Sequence, residues 1–380
     1  MGKIKILFIH GALVCGGAEQ ALYDLCSLLD RTKFDVTVMV QHPGGIWEQK
    51  FRDAGIKVIE IWDCQKKNRN PVVKLSNYIK RKRICAFIAD GSDRLIDVLF
   101  PNEYDIIVSY SVWINHSIGL SRCAKTVMYV HGDVNTFEPI KRNILKIQHL
   151  LPRFDRIICV SDIARRSFQN LTGIMDGVET HWNPLNSSHI CKLAEEKIDI
   201  PFDVPVVCAV GRLAEEKGFD RLIRIHKNIL DMGIPHRLVI VGDGPEKEHL
   251  TRIIKEAGIK DSVIMPGYTI NPYPYMKKSM FLVCSSYSEG LPVVAMEALS
   301  LGIPVVSAYP SIGELFGEEV CGIITSNDDD SLRKGMIQML TDEKYYLLAK
   351  KGAEKRSGIF DGRQMAREIE NIFINLTTNV

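Results

Sequence analysis

Two stretches of this chain open in the same way, and that recurrence constrains the fold more than any other feature. Residues 4–10 and 206–211 are continuous apolar runs, Ile4-Lys5-Ile6-Leu7-Phe8-Ile9-His10 and Val206-Val207-Cys208-Ala209-Val210-Gly211. Each is followed by a glycine-containing loop, by a segment of helical apolar spacing (18–29 and 219–231) and by a second apolar run (36–40 and 237–242). A strand that is apolar without alternation is buried on both faces, as in a parallel sheet. Strand, loop, helix and strand in that order form the unit of a doubly wound domain. Further strands are predicted at 57–61, 106–109, 126–130 and 157–160 in the first half. In the second half they are predicted at 263–265, 281–285 and 304–307, with helices over 246–257 and 292–301. At roughly 150 residues per domain, 380 residues make two α/β domains. The join is placed within 183–205, dividing the chain into 1–185 and 186–360. The last periodic stretch, 363–376, reads as a helix in a segment 361–380 that packs back on the first domain.

Composition narrows the class. With 46% hydrophobic and 25% charged residues the chain is neither disordered, collagen-like nor a coiled coil. No apolar run approaches the ~18 residues of a spanning helix. The apolar start is too short for a signal peptide, so a cytoplasmic location is expected. Ten scattered cysteines never form C-x-x-C, which argues for buried reduced thiols over a zinc site or disulfide framework. Residues 1–190 carry 25 basic and 19 acidic side chains, residues 191–380 carry 23 and 27. The basic excess gathers at Lys66, Lys67, Arg69, Lys74, Lys80, Arg81, Lys82 and Arg83, with no acid among them. Such a run is a solvated face or a surface for anionic membrane. It lacks the interleaved aromatics of a nucleic-acid platform.

The chemistry concentrates in Ser288-Glu289-Gly290-Leu291-Pro292-Val293-Val294-Ala295-Met296-Glu297-Ala298. This segment follows an apolar strand and opens a helix. Pro292 suits the first turn, where a missing N–H costs nothing. The Gly290 and Leu291 amides would then face outward at a helix N-terminus, an anion site fit for a diphosphate. Glu297 lies about 8 Å along the helix from Pro292. Two carboxylates flanking an anion site can hold two hydroxyl-rich ends of one ligand. Asp328-Asp329-Asp330, the one D-x-D string, reads as an acidic first helical turn, so no metal site is expected.

At these residues the chain resembles the retaining glycosyltransferases of family 4, of the kind that build bacterial surface polysaccharides. Their GT-B fold sets two Rossmann-like doubly wound domains face to face across a cleft. Other matching stretches follow in order: Gly16-Gly17-Ala18-Glu19, His131-Gly132, Val160-Ser161-Asp162, Val210-Gly211-Arg212-Leu213 with Lys217-Gly218, and Val239-Ile240-Val241-Gly242-Asp243-Gly244-Pro245. The resemblance implies that Glu297 binds the nucleotide ribose and Glu289 the donor sugar. Gly290 and Leu291 would offer amides to the diphosphate, and Gly211, Arg212 and Lys217 would meet it, the two cations standing in for a metal. Gly16 and Gly17 would approach the same diphosphate from the first domain. His131, at a strand end, would lie near the reacting carbon. His10 and His116 are weaker candidates of the same type. Gly267 and Tyr268 would flank the nucleobase.

The expected activity is therefore metal-independent, retaining transfer from a UDP- or GDP-linked sugar to a saccharide acceptor, lipid-linked at the membrane's inner face. No cofactor is expected. A nicotinamide oxidoreductase is excluded by the first loop, Gly11-Ala12-Leu13-Val14-Cys15-Gly16-Gly17, and by Gln41 where an acid is needed. A nucleotide-sugar binder or epimerase of the same fold is the alternative. An amphipathic basic helix over 140–151, with Ile144, Ile147 and Leu151 on one face, is a second expected membrane contact.

Overall fold

Residues 4–10 become the strand on which the first unit is wound. The structure is a computed structural model that describes residues 2–14, 16–61, 82, 95–111, 116–136, 138–201 and 203–378. It divides the chain into two units, Met1–Pro184 with Arg363–Val380, and Leu185–Gly362. The cysteines at 15, 64 and 85 and all of the basic run 66–83 except Lys82 lie outside the described residues.

In the first unit β1 (Ile4–His10) is flanked by β2 (Phe34–Val40) and β4 (Ile106–Ser111), both parallel to it. The sheet continues outward to β3 (Lys57–Glu60) on one side. On the other it continues to β5 (Lys125–Val130), β6 (Arg156–Cys159) and β7 (Val178–Thr180). Its order is β3-β2-β1-β4-β5-β6-β7. Ile6, Leu7, Phe8 and Ile9 are fully buried, as a strand covered on both faces requires.

The second unit repeats the scheme around β8 (Val206–Val210). Its sheet adds β9 (Arg237–Val241), β10 (Val263–Gly267), β11 (Phe281–Cys284), β12 (Val305–Ser307) and β13 (Gly322–Ile324) in the order β10-β9-β8-β11-β12-β13. The helix Phe219–Asp231 buries Phe219, Leu222, Ile223, Ile225 and Ile229 against this sheet. In both units the order reverses beside the first strand. Loops leaving the two central strands therefore diverge, and the gap between them at the carboxyl edge is where doubly wound sheets take ligands.

The helix Gly362–Thr378 belongs mostly to the first unit. Phe373 is fully buried, edge-on to Phe8 at 6.2 Å and to Phe34 at 6.3 Å. Glu370 Oε1 accepts from the Asp30 amide at 2.7 Å, and Arg363 donates to the Leu28 carbonyl.

Two expectations are corrected. The segment 140–151 is not one amphipathic helix but a helix Glu138–Lys146 followed by a 3₁₀ turn Gln148–Arg153. Ile144, Ile147 and Leu151 are buried with Val130, Val134 and Phe168. That apolar face closes the unit's core and offers nothing to a membrane. Among the described cysteines, Cys26, Cys159, Cys208, Cys284 and Cys321 are buried, but Cys123 and Cys191 are exposed. No described helix is long and apolar enough to cross a membrane.

Removing the Phe373 ring leaves a cavity between the C-terminal helix and β1. Phe373→Ala should lower the stability of the first unit by ~3–5 kcal/mol, read as an earlier urea transition.

Candidate functional site

The loops after β8 and β11 carry the second unit's chemistry. After β8 come Gly211, Arg212 and a 3₁₀ turn Glu215–Lys217 ending in Gly218. Gly218 has φ 62°, and a Cβ there would lie 2.4 Å from the Ser285 carbonyl oxygen, so the two loops touch only because this residue is glycine. Gly211 is approached just as closely: a Cβ on Gly242 (φ 150°) would sit 1.9 Å from its carbonyl oxygen. The Gly242 amide donates to the Gly267 carbonyl at 3.0 Å, which fixes the end of β10. Tyr268 follows there, partly exposed.

Lys217 and Glu289, from the two loops, meet. Lys217 Nζ donates to Glu289 Oε1 at 2.5 Å, and Ser286 Oγ donates to the same oxygen at 2.6 Å. Ser285 Oγ donates to the Lys217 carbonyl at 2.8 Å. Gly290 and Leu291 are buried directly before the helix Val293–Ser300, with Pro292 at its N-cap. The first turn of that helix holds no acid, so its positive end is not countered from within. Glu297, one turn further on, is 7% exposed, and its Oε1 accepts from the Tyr273 hydroxyl at 3.1 Å. Arg212 instead turns to Glu216 at 2.7 Å, an exposed pair of a kind worth at most about 1 kcal/mol.

These groups have a definite capability. A helix N-terminus and a lysine attract an anion, and two carboxylates on either side accept hydrogen bonds from hydroxyls. Asp328 does not join them. It caps the helix Asp329–Thr341, accepting from the Ser331 amide at 2.8 Å. Among the described residues no group of three or more His, Cys, Asp or Glu could hold a metal ion.

The remaining candidates lie in the first unit. Gly16 precedes the helix Gly17–Leu28 in extended conformation, and Glu19 in its first turn is buried. A Cβ at Gly16 would lie 2.5 Å from Glu19 Oε2, so an acid already faces this helix N-terminus. His131 follows β5, half-buried, with its ring 4.4 Å from Tyr110 and 5.6 Å from Tyr129. His10 ends β1 fully buried, 6.2 Å from Tyr110. His116 Nδ1 and Ser109 Oγ are 3.0 Å apart. The sequence hints at His10, His116 and His131 singly; the structure sets His10 and His131 beside Tyr110 of β4 and His116 against Ser109 of the same strand.

Burial first, then His10 and His116, pushes His131 down to about 3, against a backbone hydrogen bond to Tyr110 that raises it. Burial likewise holds His10 and His116 at about 4. In the second unit burial and His236 hold His226 at about 3.

Several contributors carry no motif. Tyr110 donates to Asn183 Oδ1 at 3.2 Å. Tyr273 meets Glu297. Arg221, 1% exposed, is the one cation on the apolar face of the helix Phe219–Asp231, and that misplacement was the available signal.

All four of these histidines have folded-state pKa values below the ordinary 6.5, so the unfolded chain binds more protons as pH falls. Their neutral form is favoured by folding. Their contribution to stability should be constant above pH 6.5 and be lost as the pH falls from 6.5 to about 4, measured by thermal melts across that window. Melts unchanged down to pH 4.5 would contradict the burial of these rings.

Comparison with known proteins agrees with the architecture. Residues 15–186 match the family model described as Glycosyltransferase Family 4, and residues 192–356 match Glycosyl transferases group 1. The chain is 28% identical over 378 residues to the N-acetylgalactosamine-N,N'-diacetylbacillosaminyl-diphospho-undecaprenol 4-alpha-N-acetylgalactosaminyltransferase of Campylobacter jejuni. The match covers 97% of this chain and 98% of that one. HepE of Anabaena, crystallised with UDP and glucose, superposes with a TM-score of 0.74 at 19% identity, over 98% of this chain and 100% of that one. Sucrose-phosphate synthase of Thermosynechococcus elongatus gives 0.76 at 19% identity, with both chains fully covered. At such identities the structural likeness establishes a two-domain GT-B fold and nothing further.

Proposed function

The chain belongs to the glycosyltransferases of family 4 and group 1, and from that premise we propose that it is a retaining, metal-independent enzyme using a nucleotide-linked sugar. The observation that carries this reading is the Lys217–Glu289 pair set before the acid-free N-terminus of the helix Val293–Ser300. A donor diphosphate bound at the amides of Gly290 and Leu291 would draw Lys217 and the lightly held Arg212 towards itself. Both are fixed cations where charge builds on the leaving group, so a divalent ion is not needed there. Released from Lys217, Glu289 would accept from the sugar hydroxyls. Glu297, already hydrogen-bonded to a hydroxyl, would take the ribose.

The acceptor hydroxyl would attack from the face that the diphosphate leaves, with a phosphate oxygen receiving its proton. His131, held neutral, would sit near the sugar as a hydrogen-bonding group rather than a charge. The undecaprenol-diphosphate saccharide in the name of the Campylobacter relative supports a lipid-linked saccharide acceptor and a place in surface-polysaccharide synthesis. Docking on anionic membrane through the basic run 66–83 belongs to the same reading.

A panel of UDP- and GDP-sugars, scored by release of nucleoside diphosphate, tests the proposal. A protein that binds a donor and releases nothing with any saccharide acceptor would be a binder and not a transferase. Glu297→Ala should weaken nucleoside-diphosphate binding by ~1.5–3 kcal/mol, and Glu289→Ala should lower turnover more than binding, both by calorimetry and initial rates. Activity should survive EDTA, and NMR of the product should show the donor's anomeric configuration. Sedimentation should place the protein on anionic vesicles at low salt and release it at high salt.

A further inference from the structure

Arg221 has no motif, and it lies behind the site instead of in it. It is among the largest side chains that are fully buried. Arginine is seldom buried without a carboxylate to neutralise it. Here the guanidinium donates from Nε to the Ser285 carbonyl at 2.7 Å and from Nη2 to the Ser286 carbonyl at 3.1 Å. Nη2 also donates to Asn327 Oδ1 at 2.7 Å. Its Cζ lies over the Tyr287 ring, 4.2 Å from the ring centre. Three consecutive residues of the loop that carries Glu289 are thus gripped by one side chain of the helix Phe219–Asp231.

The grip is reinforced from two directions. Asn327, itself bound to Arg221, donates from Nδ2 to the Tyr287 carbonyl at 2.9 Å. The Tyr287 amide donates to the Glu216 carbonyl at 2.9 Å, and Ser285 Oγ to that of Lys217. Arg221 therefore ties the loop after β11 to the turn that supplies Lys217. Loop carbonyls buried at a sheet edge need donors, and a planar fork supplies several in fixed directions. The other buried residues of the helix are apolar except His226, whose ring is already bonded to His236 and Ser262.

We propose that Arg221 is a positioning residue for transfer: it sets the 285–289 turn so that Glu289 and Lys217 converge before the helix Val293–Ser300. This rests on the reading of that site as the donor site. Arg221 reaches the reaction only through Ser285, Ser286 and Tyr287. Most of the nucleotide affinity, from Glu297 and the amides before the helix Val293–Ser300, is built on elements that Arg221 does not touch, and Arg221 reaches Lys217 only through its Ser285 link.

The test compares wild type with Arg221→Lys and Arg221→Ala. Calorimetry with UDP and GDP gives affinity, and nucleoside-diphosphate release from the donor selected by the sugar-nucleotide panel gives kcat. Arg221→Lys keeps the charge and loses the fork. It should lower kcat by about tenfold or more while the nucleoside-diphosphate Kd stays within about threefold of wild type. Millimolar guanidinium should restore part of the kcat of Arg221→Ala and leave wild type unchanged. A purely structural role would lower the melting temperature and move kcat and Kd together, with no rescue, and that result overturns the proposal. So does a kcat for Arg221→Lys equal to wild type.

If neither variant folds, Asn327→Ala decides. This exposed side chain holds both Arg221 and the Tyr287 carbonyl, and its loss should lower kcat by about threefold at unchanged Kd. An unchanged kcat overturns the proposal. Absence of nucleoside-diphosphate binding by the wild type would instead remove the donor-site reading, and this inference with it.

Discussion

In each unit two parallel neighbours, β1 with β4 and β8 with β11, send their following loops to opposite sides of the sheet. Everything functional depends on that divergence. A parallel strand buried on both faces must end in a loop at the same edge as its neighbours, so the chain has no choice about where its polar segments emerge. The reversal of strand order then leaves a gap that neither following helix covers. The Lys217 turn and the Glu289 turn stand on either side of it in the second unit.

A gap is not yet a site. The two turns are brought together by a contact too short for any side chain, Gly218 against Ser285, while a second such contact, Gly242 against Gly211, joins the loop after β9 to the loop after β8. Arg221 and Asn327 fix what the glycines allow. The Lys217–Glu289 pair is consequently held from behind by hydrogen bonds to backbone, which do not have to break when a ligand competes for either charge. Arg212 contrasts with it. Its exposed pairing with Glu216 is weak, and it is the more easily redirected cation.

The first unit uses the same edge differently. It gathers imidazoles and phenols, His10, Tyr110, His116, Tyr129 and His131, with little formal charge at neutral pH. Burial keeps the rings neutral. A glutamate over Gly16 occupies the helix N-terminus that would otherwise attract an anion. The two clusters therefore differ in kind, one charged and set before a helix N-terminus, the other neutral. C-terminal residues complete the first unit, where Phe373 fills the space beside Phe8 and Phe34.

Patterns that depend on neighbours in sequence were legible from the amino acids alone. The apolar runs at 4–10 and 206–210, the helix Phe219–Asp231 and the helix opening at Pro292 announce themselves because burial on both faces, helical period and proline chemistry are local properties. The residues of the 288–298 segment followed from the same signals. The three-residue strands β7 and β13 did not, since three residues show no period and become strands only through the partner beside them. The face carrying Ile144, Ile147 and Leu151 looked the same whether it met lipid or protein, and Val130 and Phe168 decided it. Sequence by itself thus determined the two doubly wound units and the helix that opens at Pro292. Only the tertiary structure decided which groups meet: Lys217 with Glu289, 72 positions apart, and Arg221 with the loop 64 positions on. The reason is physical, because pairing across a sheet is set by strand order and backbone contact, which no local pattern encodes.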